Sequence, residues 1–78
     1  MDRDHFPSDL LKDQSAWYVT YDELATDPAG TQTAARRRRL LELSRLVAGH
    51  PFWKTSAGTP AARMALKEIA RAQTRAGS

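Results

Sequence analysis

The sequence predicts a small all-α protein, a three-helix bundle, and three observations carry that prediction. Apolar residues recur at helical spacing in three separate segments. Two stretches rich in turn-forming residues divide them, Asp27-Pro28-Ala29-Gly30 and residues 49–58. No segment reads as a strand.

The first helix is expected over about residues 8–25. Ser8 follows Phe6-Pro7 and can cap it, and Asp9 then sits in the first turn, where the helix dipole favours a negative charge. Leu10, Gln14, Trp17, Tyr21 and Leu24 form its inward stripe, with Leu11, Tyr18 and Ala25 beside them. The second helix is expected over about 31–48, capped by Thr31 or Thr33, with Leu40, Leu43, Leu46 and Val47 inward. Gly49, followed by His50-Pro51, reads as a left-handed stop, with His50 satisfying the last carbonyls. Thr59-Pro60 gives a cap and then proline at the first helical position, so the third helix runs over about 59–74 with Ala62, Ala65, Leu66, Ile69 and Ala70 inward. Residues 1–7 and 75–78 are expected to be flexible. A first turn this short makes the first two helices antiparallel neighbours.

The chain has 78 residues, one domain's worth, and a chain of this length buries only roughly 60–65% of the surface it exposes when unfolded. A deep catalytic cleft is not expected. With 41% apolar and 27% charged residues it is too apolar for disorder and polar enough to dissolve. The absence of cysteine excludes disulfides, thiolate metal sites and cysteine nucleophiles, and makes the cytoplasm the expected compartment. The acidic start, MDRDHFPSDL, does not resemble a signal peptide, and no stretch approaches the ~20 apolar residues of a membrane span.

Charge is divided along the chain. Residues 1–28 hold seven acids against Arg3 and Lys12, a balance of −5, whereas residues 29–78 hold ten bases against Glu42 and Glu68, a balance of +8. Such a split faces either its own opposite half or an acidic partner. Asp22 and Glu23 oppose the dipole at the end of the first helix, and Arg36-Arg37-Arg38-Arg39 oppose it near the start of the second. The turn brings these two ends together, so part of the arginine run is expected to be neutralised there. Arg36 and Arg39 project near the apolar arc, while Arg37, Arg38 and Arg45 point outward. On the third helix Arg63, Lys67, Arg71 and Arg75 follow at intervals of four and form a cationic ridge opposite the apolar face. Neighbouring cations at that spacing repel, so the ridge is not arranged for stability. Nine arginines against three lysines also reflect GC-rich coding, under which the ridge would be a solvated face.

Phe52 and Trp53 in the second joint are expected to fold over the bundle end toward Trp17, Tyr18 or Tyr21, with Trp17 and Trp53 substantially buried. The run RRRRLLELSRLVAGHPFW followed by PAARMALKEIARA resembles short helical proteins of high-GC actinobacteria, of unknown function, that pair an arginine-rich leucine helix, an HPFW-like joint and a final Ala/Arg helix. The resemblance covers about residues 6–72 and implies a fold without implying an activity.

No phosphate loop, nucleophile elbow or paired metal-ligand spacing is present, so no catalytic residue, cofactor or metal is expected and the chain is not read as an enzyme. His5 with Asp2 and Asp4 could hold a metal only on a fixed backbone, and a solvated tail is expected there instead. Two functions compete. The first is a module meeting nucleic acid through phosphate contacts, with Arg63, Lys67, Arg71 and Arg75 as the principal cations and Arg37, Arg38 and Arg45 beside them. The second is an interaction or regulatory adaptor meeting an acidic protein. A joint of about ten residues between the second and third helices disfavours a helix-turn-helix. Val19, Leu41 and Met64 project from the polar sides of their helices and offer a homodimer contact or a partner-helix groove if the fold gathers them.

Overall fold

A computed structural model of the chain describes residues 6–76. It contains three α-helices, α1 (Ser8–Thr26), α2 (Thr33–Ala48) and α3 (Pro60–Ala76), and a 3₁₀ turn, Pro51–Lys54, lies inside the second joint. The expected helices are all present, and the described residues contain no strand. Expectations for Asp2, Asp4 and His5, and for the last two residues, lie outside the described part of the chain. Residue 75 is still helical, so α3 outlasts its predicted end.

The helix ends differ from expectation in ways that have local causes. Ser8 is already helical and makes no capping bond; Pro7 occupies the cap position, and its carbonyl accepts from Leu11 N–H. Thr33 lies inside the start of α2, and its hydroxyl donates back to Gly30 O (2.7 Å) and Pro28 O (3.1 Å), which ties the turn to the helix it precedes. Gly49 does not stop α2 in the left-handed region: its φ is −92°. The His50 side chain does not satisfy the last carbonyls of α2 either; its backbone N–H donates to Val47 O at 3.3 Å. Its Nδ1 accepts from Phe52 N–H and so caps the 3₁₀ turn that follows. The start of α3 matches its prediction, since Thr59 Oγ1 accepts from Ala62 N–H at 3.1 Å with Pro60 next to it.

Helix α1 packs along both of the others, while α2 and α3 meet each other only marginally. The bundle therefore has a spine and two flanks. Its core is thin: Phe6, Leu10, Leu43, Leu66 and Ala70 are the buried apolar residues. Phe6, expected in a flexible tail, is only 9% exposed and forms one cluster with Leu10 and Leu66. Pro7 turns the chain so that this ring can reach the joint, where it lies 5.5 Å from Phe52. Leu46, expected inward, is 52% exposed, and Tyr21 is half-exposed, because neither flank is covered by a fourth element.

The joint folds back as expected, but onto a different target. Phe52 meets Phe6, Trp53 packs edge-on against Phe52, and the Trp53 indole donates to Val47 O. Trp17 and Trp53 are half-buried rather than enclosed. Gly58 allows the joint to double back: a methyl group there would lie about 2.5 Å from Trp53 Cα, a collision between backbones. Trp53→Ala removes the cover of this end together with the indole bond. It is expected to cost about 2–3 kcal/mol, less than the roughly 3–5 kcal/mol of a fully buried aromatic, read as a lower urea midpoint; an unchanged midpoint would show that the ring closes nothing.

Candidate functional site

Among the described residues, the acidic and basic parts of the chain meet in each of the following places. At the α1–α2 turn Arg36 pairs with Glu23 at 3.6 Å, as the opposed dipoles predict. Between α1 and α3, Arg71 donates two hydrogen bonds to Asp22, at 2.9 and 3.1 Å, and lies 4.8 Å from the Tyr18 ring centre. Asp22 holds the guanidinium more firmly in its charged form, raising the Arg71 pKa. Between α1 and the joint, His50 Nε2 lies 3.1 Å from Asp9 Oδ2. Because Nδ1 of that ring accepts from Phe52 N–H, the neutral ring carries its proton on Nε2 and donates it to Asp9.

These pairs change the picture of the ridge on α3. Arg71 does not stand outward among like charges; it is a half-buried clamp on α1. Arg63 lies 4.9 Å from the Trp53 ring centre, and Lys67 is exposed beside it. Arg75, one turn beyond Arg71, shares a shallow groove with Asp22, Glu23 and Asp27. The ridge is thus divided into an outer pair, Arg63 and Lys67, and an end turned toward acids. Arg37, Arg38 and Arg45 are exposed, and none has an ion-pair partner among the described residues. Arg39 is exposed and pairs with Glu42 at 3.7 Å instead of following the apolar arc. Val19, Leu41 and Met64 are exposed as expected, one on each helix.

The marginal meeting of α2 and α3 leaves a cavity of about 310 Å³ above α1. Gln14, Trp17 and Tyr18 of α1 contribute its floor, and Val47 and Leu66 contribute apolar walls from the two flanks. Trp53 closes one side, Ser44 and Ala48 line α2's edge, and Arg63 and Lys67 line α3's. The floor is held in place by side-chain geometry: Trp17 Nε1 donates to Ser44 Oγ at 2.9 Å, and its ring packs on Tyr18 and Tyr21, each 5.3 Å away. Gln14 is 6% exposed, yet its side-chain amide makes no hydrogen bond among the described residues. The periodicity that put Gln14 in the apolar stripe was the one sign of this site in the sequence: a primary amide where an aliphatic residue would fill the space. No cluster of metal-ligating side chains occurs among the described residues.

A family model described as a domain of unknown function (DUF8825) matches residues 9–69. The chain belongs to that family. No curated protein and no solved structure matches it. The DUF8825 match takes in every residue that lines the cavity, from Gln14 to Lys67, and ends before Arg71.

Two predictions separate clamp from rim. Arg71→Glu places a carboxylate against Asp22 and is expected to lower the melting temperature, whereas Lys67→Glu leaves it unchanged; equal melting of the two variants would show that the Asp22 pair does not hold α3 to α1. The second concerns acid. The hydrogen bond from His50 holds the Asp9 carboxyl below its ordinary value, so its stabilising contribution is present above the unfolded carboxyl pKa of about 3.9 and is lost as pH falls through the lower folded value. Parent and Asp9→Asn should melt apart at neutral pH and converge in strong acid, as followed by circular dichroism.

Proposed function

We propose that this chain is a small non-catalytic binding module, an adaptor that meets an acidic protein through the cavity between α2 and α3 and its basic edges. The observation that carries this reading is the position of the exposed cations. Arg63 and Lys67 lie at an apolar cavity, and Arg37 falls on the same side of α2 as Ser44 and Ala48, seven and eleven residues on. A cavity with apolar walls and charged edges suits a folded partner, which supplies an apolar group and complementary charge together. Cytoplasmic residence accompanies the reading: the sequence lacks cysteine, and no helix among the described residues is long and apolar enough to cross a membrane.

A second reading, phosphate contacts with nucleic acid, is favoured by the exposed and unpaired Arg37, Arg38 and Arg45. It loses Arg71 to Asp22, which leaves α3 without the continuous cationic track that a phosphate backbone would follow. Titration against a Glu-rich helical peptide and against a short DNA duplex decides between the two. The peptide is expected to bind at about 200 mM salt. The duplex is expected to bind weakly, even near 50 mM salt. Tight duplex binding that falls steeply with salt and is abolished in the Arg37→Glu, Arg38→Glu, Arg45→Glu variant would replace the adaptor reading with the nucleic-acid one.

A further inference from the structure

The cavity between α2 and α3 has a size, a lining and an unpaired polar group that together specify its guest more closely than charge alone. At about 310 Å³ it stands at the lower end of the roughly 300–1,000 Å³ typical of ligand pockets, room for one large side chain and not for a helix. The body of the guest faces Trp17, Tyr18 and Trp53 and the aliphatic Val47 and Leu66, an environment that favours an aromatic ring. The polar group is Gln14. The residue is 6% exposed and lines the cavity, its amide makes no hydrogen bond among the described residues, and the amide atoms stay accessible at the cavity surface. A guest that covered this amide without offering it a hydrogen-bonding atom would bury it unpaired, at a cost in free energy.

We propose that this cavity is an anchor pocket for a tryptophan or tyrosine side chain presented by an acidic helix of a partner protein, with Gln14 pairing to the indole N–H or phenol of the anchor. The inference rests on the adaptor reading above and adds the identity of the anchor. Tryptophan and tyrosine alone among the large side chains combine an aromatic body with a hydrogen-bonding end; phenylalanine or leucine would seal the Gln14 amide away still unpaired. Carboxylates flanking the anchor then meet Arg63 and Lys67 at α3's edge and Arg37 on the corresponding side of α2. The same edges exclude a second copy of this chain seated face to face, because a two-fold axis through the cavity would set Arg63 and Lys67 against their own counterparts.

The test uses the full chain and four synthetic helical peptides. Three are Glu-rich with Trp, Phe or Leu at one central apolar position, and the fourth is Lys-rich with Trp. Affinities come from calorimetry, and the site from NMR shifts of the Trp17 and Trp53 indoles and the Gln14 side-chain amide. The Glu-rich Trp peptide is expected to bind about tenfold more tightly than its Phe and Leu counterparts and to move all three signals, with the Lys-rich peptide at least about tenfold weaker. Gln14→Leu should melt no lower than the parent and bind the Trp and Phe peptides alike. A Gln14 that merely supports the fold would instead lower the melting temperature. Binding that moves the indoles and Gln14 but is indifferent to the anchor overturns the anchor pocket and leaves the adaptor reading standing, whereas binding that shifts Arg37, Arg38 and Arg45 while the indoles and Gln14 stay still overturns both. Equally tight binding of free indole-3-acetate would make the guest a small aromatic acid and overturn the proposal. If all four peptides fail and only duplex DNA binds, both readings fall.

Discussion

Both flanking helices of this protein are held by α1 and barely by each other, and most of the remaining structure follows from that single constraint. In a closed three-helix bundle each helix buries two contact stripes. Here α2 and α3 each have one, so Leu46 and Met64 stay in solvent and only five of the described apolar residues are buried. The joint answers part of the deficit. Phe52 and Trp53 cover the end of α1 where a third helix–helix contact would have lain, and Phe6 is drawn in beneath them.

The division of charge along the chain belongs to the same design. Apolar area is scarce, and each element that docks on α1 brings a base to one of its acids: Arg36 to Glu23 from α2, His50 to Asp9 from the joint, Arg71 to Asp22 from α3. Exposed polar and charged pairs contribute little individually, but each has a directional requirement that packing of leucines lacks. The bidentate Arg71 pair is the most demanding of the three, because a planar guanidinium that also lies against the Tyr18 ring accepts few other orientations of α3.

The sequence disclosed what depends on neighbours in the chain. Helical periodicity located the three helices, Thr59-Pro60 located the start of α3, and opposed dipoles at one short turn foretold the meeting of Glu23 with Arg36. What depends on the angle between helices was not legible. Arg71 projects beside Arg63 and Lys67 on a helical wheel, and nothing in the wheel says that Asp22, 49 residues earlier, stands opposite it. Phe6 before a proline reads as a tail until a partner ring at Phe52 is known. Gln14 was visible as a member of the apolar stripe, while the cavity that makes its amide conspicuous exists only because two flanks fail to close.

The backbone approach at Gly58 bears on how this architecture can vary. Since α2 and α3 share no substantial contact, the aperture between them is set at one side by α1 and at the other by the joint, whose path is fixed where Gly58 passes over Trp53. A change in the joint's length or in that crossing would alter the spacing of the two flanks without replacing a single helix residue that lines the space between them. The width of the opening and the chemistry of its walls are therefore encoded in separate segments of the chain, and each can diverge while the other is kept.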